Sequence, residues 1–468
     1  MHYMTTGRRL GAIVSCLAML AAATAGAAAP AVPPEVSARA LEMLKRSIAF
    51  NTAEKEGQVP KYAQYLADEL KAHGFAAEDI TITPRGSTAT LTARYRGTEP
   101  ALKPILVASH MDVVPAKRED WERDPFEPVV ENGFVYGRGA LDNKFGLVTS
   151  TVALLWLRQE GFRPRRDVIL VYSGDEETTM ETTAALAQEL KGAELLLNTD
   201  AGGANLGDDG KPVVYAMQAA EKTYMDFEVT TTNPGGHSSR PGASNAIYDL
   251  ARIISRLAAF RFPPKLNEIT RAYFEAAGPM TPAPAGPAML RFAKDLGDRE
   301  AYETLLSYPE YVGQVGTTCV ATMLRGGHAP NALPQSATLG INCRVFPGES
   351  VEYVQSTLEK VIDDPQAQIK LLYKPVPSDA SPLREDVMNA LRRAIDLRAP
   401  GLPIVPSMSA GATDSLHFRN AGVPSYGVGG AFMSPKDNFA HGLNERVPVA
   451  TMDGAIVQWR SLVRDLSK

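Results

Sequence analysis

Three carboxylates stand side by side in "VILVYSGDEETTME" (residues 168–181): Asp175, Glu176 and Glu177, directly after an apolar run that reads as a buried strand. An acidic run by itself is a solvated turn; it becomes a site only if imidazoles and further carboxylates join it. Such residues follow other strand-like runs: His110 in "SHMD" after "KPILVA", and Asp200 in "NTDAGG" after "AELLL". Asp142 in "YGRGALDNKFG" opens a buried helical stretch, and His441 in "DNFAHGLNE" lies on a turn before the last helix. Imidazole and carboxylate suit zinc, or manganese and cobalt where oxygen predominates. One carboxylate shared between two ions, with two further donors for each, holds a metal pair about 3.5 to 4 Å apart, and such pairs hydrolyse peptide-like bonds.

Each residue has a plainer reading. His110 alone is a satisfied polar residue, Asp142 a helix N-cap, and Asp200 a turn former at the end of a strand. Their coincidence favours the site, because open α/β sheets bind ligands beyond the carboxyl ends of their strands.

The elements that must position these residues alternate. "TATLTARYRG", "KPILVASH", "DVILVYSG" and "AELLLNTD" read as strands, with "GLVTSTVALLWLRQEG" as a buried helix among them. That order predicts an α/β fold, a mostly parallel sheet flanked by helices. From residue 222 the texture changes to strand, helix, two strands, helix, strand, the order of an α+β sandwich inserted as a lid or dimerisation domain. The catalytic domain is then residues 34–221 and 377–468, and the insert 222–376. Within the insert, Pro263 to about Glu310, with "MTPAPAGP", is expected to be a variable loop.

At the N-terminus, Arg8 and Arg9 precede an apolar run to about Ala23 and a small-residue stretch, the layout of a cleaved secretory signal over residues 1–29. The run is shorter than the roughly 20 residues of a spanning helix, so an exported protein, periplasmic or secreted, with no stable membrane span is expected. A formal net charge of -5 offers no basic footprint for nucleic acid. Beyond the signal only Cys319 and Cys343 remain, two buried thiols or one cross-strand bridge.

Seven motifs occur in a linked order: "SHMDVVPA", "WERDPFEPVVENGFVYGRGALDNKFG", "SGDEETT", "GGHSSRPG", "HAPNALP", "INCRVFPGES" and "NFAHGLNERV". In this the chain resembles the superfamily of dinuclear zinc metallopeptidases that includes aminoacylase, carboxypeptidase G and succinyl-diaminopimelate desuccinylase. The likeness is greatest to its carboxypeptidase S-like branch of secreted N-acyl amino acid hydrolases. It covers essentially everything after the signal.

The resemblance implies two divalent ions, zinc in the first instance with cobalt or manganese as alternatives. His110 and Asp200 would bind one, Glu177 and His441 the other, with Asp142 between them. Glu176 would be the general base acting on a water shared by the ions, and Asp112 the carboxylate orienting His110. A ligating imidazole needs such an acceptor on its second nitrogen. His237 would reach the partner subunit's site in a homodimer and stabilise the tetrahedral oxyanion; Asn331, Arg344, Gly411 and Thr413 would contact substrate, with Arg344 on a free carboxylate. The implied activity is hydrolysis of the amide bond of short peptides or N-acyl amino acids, carboxypeptidase-like. A dipeptidase or aminopeptidase on the same scaffold is the alternative, since Asp at position 200 occurs in both kinds of relative.

Overall fold

The computed structural model describes residues 31–468; the expected signal lies outside the described residues. Among the described residues no helix is long and apolar enough to cross a membrane.

A ten-stranded sheet organises the larger part of the molecule. In its middle Val168–Ser173, Ile105–His110, Leu195–Asn198 and Ser425–Gly427 lie side by side and parallel. Their runs of Val, Ile and Leu fit strands covered on both faces. Successive residues feed opposite cores. Val107, Leu170 and Leu197 pack with the helices Pro34–Ile48, Lys144–Gln159 and Met452–Leu466, while Leu106, Ile169 and Leu196 pack with Leu186 and Phe418 on the other side. Each such side chain contributes roughly 1.5 to 3 kcal/mol of burial. Antiparallel strands flank this centre: Thr88–Tyr95 and Ile80–Arg85 on one side, Pro212–Glu221 on the other, the last pairing in parallel with Ile404–Ser409.

The second sheet is antiparallel, in the order Thr318–Gly326, Ser336–Val345, Thr223–Thr232, Gln368–Leu371. The amphipathic helices Ala246–Ala259 and Val351–Ile362 cover one face around Phe227, Leu250, Ile341 and Leu358. Cys319 and Cys343 stand opposite each other on paired strands and form a disulfide, which decides between the two states the sequence left open. Only Lys222 separates the last strand residue of the large sheet, Glu221, from the first of the small one, Thr223.

The stretch expected to be a loop is instead helical. Glu268–Ala277, Ala285–Lys294 and Arg299–Leu306 enclose their own core of Phe274, Met289, Phe292 and Leu305. Asn267 caps the first helix, with a reciprocal bond from Thr270, and Pro284 stands at the N-cap of the second. Pro282 and Pro284 precede the second helix and Pro287 lies in its first turn, where a backbone N–H has no partner within the helix, so the missing N–H groups are not needed.

Candidate functional site

His110 ends its strand fully buried, with Nε2 2.9 Å from Asp142 Oδ1 and 3.6 Å from Asp200 Oδ1. His441, in the loop just before the strand Arg446–Pro448, places Nε2 3.1 Å from Asp142 Oδ2 and 3.1 Å from Glu177 Oε1. Folding thus assembles two triads, His110–Asp142–Asp200 and Asp142–Glu177–His441, with Asp142 common to both. Glu176 joins His110 and Glu177 in a third grouping of donor atoms within 4.8 Å of one another. Donor atoms within each group are no more than 4.8 Å apart, a spacing that one cation spans.

The electrostatics fit the same occupant. Among the described residues neither lysine nor arginine pairs with Asp142, Glu177 or Asp200; their ionic neighbours are the two histidines. Burial, and then the neighbouring Asp142, pushes the Asp200 carboxyl up to about 8. Burial likewise pushes Glu176 well up, opposed by His110 and reinforced by Asp200, Asp414 and Glu177. Hydrogen bonds to Asp142 and Glu177 raise His441 to about 10. Buried carboxylates this close do not all ionise unless positive charge is supplied. Two divalent ions would supply it, and the imidazole and carboxylate donors present suit them.

The acidic turn divides its labour. Asp175 faces away from the cluster and accepts from Thr179 Oγ1 at 2.7 Å and from the backbone N–H groups of Glu181 at 2.9 Å and Thr182 at 3.1 Å. It therefore caps the helix Glu181–Glu189, in place of a cap from Met180. Asp112 accepts the backbone N–H of Glu176 at 3.1 Å and of Glu177 at 3.0 Å, holding the turn that presents both glutamates. His110 Nδ1 bonds the Asp112 backbone carbonyl at 3.0 Å, with the carboxylate 3.6 Å away. Asp112 thereby contacts the imidazole through its main chain and the acidic turn through its side chain.

Glu445, which no sequence pattern singles out, is fully buried and accepts from four donors. Oε1 accepts the N–H groups of Leu141 at 2.8 Å and Asp142 at 2.9 Å; Oε2 accepts Gly139 N–H at 2.9 Å and Arg138 Nη1 at 2.7 Å. Arg138 also reaches the His441 carbonyl at 3.4 Å. One carboxylate therefore fixes the backbone of Asp142 and, through Arg138, that of His441. Asp414 is also buried at this edge, accepting from Ser173 Oγ at 2.7 Å and from Thr183.

The remaining expected residues are distributed over the small sheet and the 410–414 loop. His237 lies exposed on the two-residue strand Gly236–His237, which pairs with Ala332–Leu333; it is bonded to Ser239 and belongs to none of the donor groups. Asn331 is beside it, its carbonyl accepting Ser238 N–H at 3.0 Å. Arg344 donates to the Ala410 carbonyl at 3.0 Å and lies 4.4 Å over the Tyr224 ring, next to exposed Gly411. Thr413 is buried, its hydroxyl donating to Glu221 Oε1 at 2.6 Å.

Comparison with known proteins yields a consistent grouping. The profile of peptidase family M20/M25/M40 matches residues 106–465. The N-fatty-acyl-amino acid synthase/hydrolase PM20D1 of Mus musculus is 29% identical, over 76% of this chain and 72% of its own. The probable carboxypeptidase S-like 2 of Dictyostelium discoideum is 25% identical, over 91% of this chain and 85% of its own. Among solved structures, the M20 family metallo-carboxypeptidase Sso-CP2 of Sulfolobus solfataricus superposes with a TM-score of 0.66 at 21% identity, covering 91% of this chain and 98% of that one. This last likeness concerns the fold: a mostly parallel sheet with an inserted lid.

Proposed function

The chain belongs to peptidase family M20/M25/M40, a metallopeptidase and amidohydrolase family, and on that premise we propose that it hydrolyses the amide bond of N-acyl amino acids and short peptides bearing a free carboxylate. The observation that carries the reading is the pair of donor triads sharing Asp142. His110, Asp142 and Asp200 would hold one divalent ion and Asp142, Glu177 and His441 the other, zinc being the ion that best suits two imidazoles among carboxylates. Bound there, the ions would supply positive charge for the developing oxyanion and make water more acidic.

The protein's own groups do the rest. Glu176, grouped with His110 and Glu177 on the turn held by Asp112, takes a proton from the attacking water at its carboxylate and returns it to the amide nitrogen as the C–N bond breaks. Arg344 presents a guanidinium to the substrate carboxylate, a geometry suited to two parallel hydrogen bonds. The relatives' printed activities, on N-fatty-acyl amino acids and as carboxypeptidases, support this substrate class.

The reading assigns residues 34–221 and 377–468 to the catalytic domain and 222–376 to an inserted lid. It includes a homodimer in which His237 serves the neighbouring site, because His237 is exposed and apart from its own cluster. In the small sheet the edge strand Thr318–Gly326 exposes Val320, Met323 and Leu324 by 54%, 59% and 65%, an apolar edge suited to a second copy. It also places the enzyme outside the cytoplasm, supported by the N-terminal signal layout and by the Cys319–Cys343 disulfide.

The test is hydrolysis of a dipeptide and its N-acetylated counterpart by the zinc-loaded protein, with and without chelator. Chelator-sensitive cleavage that survives acetylation is expected. Cleavage confined to the free amine would move the assignment to a dipeptidase or aminopeptidase.

A further inference from the structure

The insert is joined to the catalytic sheet by two chain segments, and a single buried guanidinium holds both. The outgoing segment is the end of Pro212–Glu221 followed by Lys222; the return segment carries Ser378 and Ser381. Ser381 N–H bonds the Ala219 carbonyl at 2.8 Å, and Ser378 N–H bonds Thr223 Oγ1 at 3.3 Å, so the segments run together. Arg419, on the short helix Ser415–Asn420, donates to Glu221 Oε2 at 2.6 Å and to Gln218 Oε1 at 3.5 Å on the first segment. On the second it donates to Ser381 Oγ at 3.1 Å and Ser378 Oγ at 3.4 Å, and it also reaches the Ser425 carbonyl at 3.2 Å. Glu221 is fully buried and Arg419 is 8% exposed.

The other oxygen of Glu221 leads toward the donor cluster. Oε1 accepts the Thr413 hydroxyl at 2.6 Å; that hydroxyl accepts Asn198 Nδ2 at 2.9 Å; and Asn198 Oδ1 accepts the backbone N–H of Asp200 at 2.9 Å. Every side chain along this path is buried. A buried ion pair is poor value as stability alone, since apolar residues of the same volume do as well or better. What an apolar replacement cannot do is join five segments in one directional network.

The geometry points to the Glu221–Arg419 pair as a positioning element: its carboxylate sets both the angle at which the insert leaves the catalytic sheet and the seat of Asp200. Hinges lie at element ends of this kind, where few residues absorb the turning of one body against another. The inference rests on the proposed function, in which the insert brings Arg344 to the substrate and Asp200 holds an ion.

The experiment compares Glu221→Gln and Arg419→Lys with the unaltered protein, using zinc titration by calorimetry, amide hydrogen exchange over residues 218–223 and 378–381, and steady-state hydrolysis of an N-acyl amino acid. Both variants are expected to bind zinc about tenfold or more weakly, as loss of groups behind metal donors does, and to exchange faster at the two crossings. The loss in kcat/KM should be greater for the free-carboxylate substrate than for its carboxamide, because the carboxylate is read from the insert. Arg419→Lys keeps a buried cation, so it stays informative if Glu221→Gln fails to fold. A folded variant that melts earlier but keeps the original zinc affinity, exchange and substrate preference overturns the inference. The first two readouts need no substrate: if the unaltered protein hydrolyses no N-acyl amino acid, the substrate assignment falls while zinc affinity and exchange still decide the role of the pair.

Discussion

One carboxylate separates the two histidines of the cluster: Asp142 offers Oδ1 to His110 at 2.9 Å and Oδ2 to His441 at 3.1 Å. Its loss therefore damages both cation positions, whereas loss of His441 damages one. Asp142→Ala should retain neither ion after dialysis and His441→Ala one, as counted by elemental analysis of the dialysed proteins. Equal zinc content in the two variants would refute the shared position.

Glu176 is near the donors without being needed to complete either triad. Glu176→Gln should keep both ions and lower kcat by about 10² to 10⁴, the range for a lost general base, with KM little changed. Single-turnover kinetics on the zinc-loaded variant is the check, and normal turnover would exclude Glu176 as the proton carrier.

Glu445 is tied to four donors, one of them a buried arginine. Removing one partner of such a pair leaves an uncompensated charge and costs about 3 to 5 kcal/mol. Glu445→Ala should accordingly unfold at markedly lower denaturant and bind zinc more weakly, since the Asp142 backbone loses its anchor. Glu445→Gln, which keeps acceptors for two of the N–H groups, should fall between the two.

Lys222 provides a pH test remote from the donors. Burial, and then the neighbouring Arg344, depresses its ammonium from 10.5 to about 7, partly offset by Glu349. Between those two values the unfolded chain binds the proton that the folded one has released, so stability rises with pH across that window. Below about 7 both states are protonated and the penalty is constant. The slope contributed is at most about 1.4 kcal/mol per pH unit. Lys222→Met should flatten the rise between pH 7.5 and 9.5 in urea unfolding and be relatively more stable at pH 6; an unaltered slope would show that Lys222 does not titrate there.

The exposed edge strand makes the dimer testable. Leu324→Asp places a charge where an apolar side chain is 65% exposed, so it should leave the monomer fold intact and halve the mass seen by light scattering. If His237 acts across subunits, activity falls with the mass; full activity in a monomer would exclude that role.

The large sheet was legible because its strands are nearly continuous apolar runs, and much of the cluster because His110, Glu177 and Asp200 follow those runs at their carboxyl ends; Asp142 before a helix and His441 on a turn were marked by the linked motifs around them. Other features had no periodic or positional signal. Glu445 is a lone glutamate in a turn, and only the folded loop shows its four donors converging. Glu221 and Arg419 lie 198 residues apart, and nothing local marks them as a pair. The helices between Glu268 and Leu306 are masked in the sequence by the prolines around them, although the apolar spacing of Ile269, Phe274, Met289 and Phe292 is helical. For Asp112 the contacts of main chain and side chain could be separated only by geometry.

The place of the insert in the chain also dictates an order of assembly. Every strand of the small sheet, and both cysteines of its bridge, precede residue 372, whereas the central strand Leu195–Asn198 needs Ser425–Gly427 and Pro212–Glu221 needs Ile404–Ser409 as neighbours. As the polypeptide emerges N-terminus first, the small sheet can close and oxidise while the large one still has open edges. The late-arriving C-terminal residues include His441 and Glu445, so the cation positions are completed last. A chain truncated by premature termination would then carry a folded, disulfide-bonded lid with no means of hydrolysis.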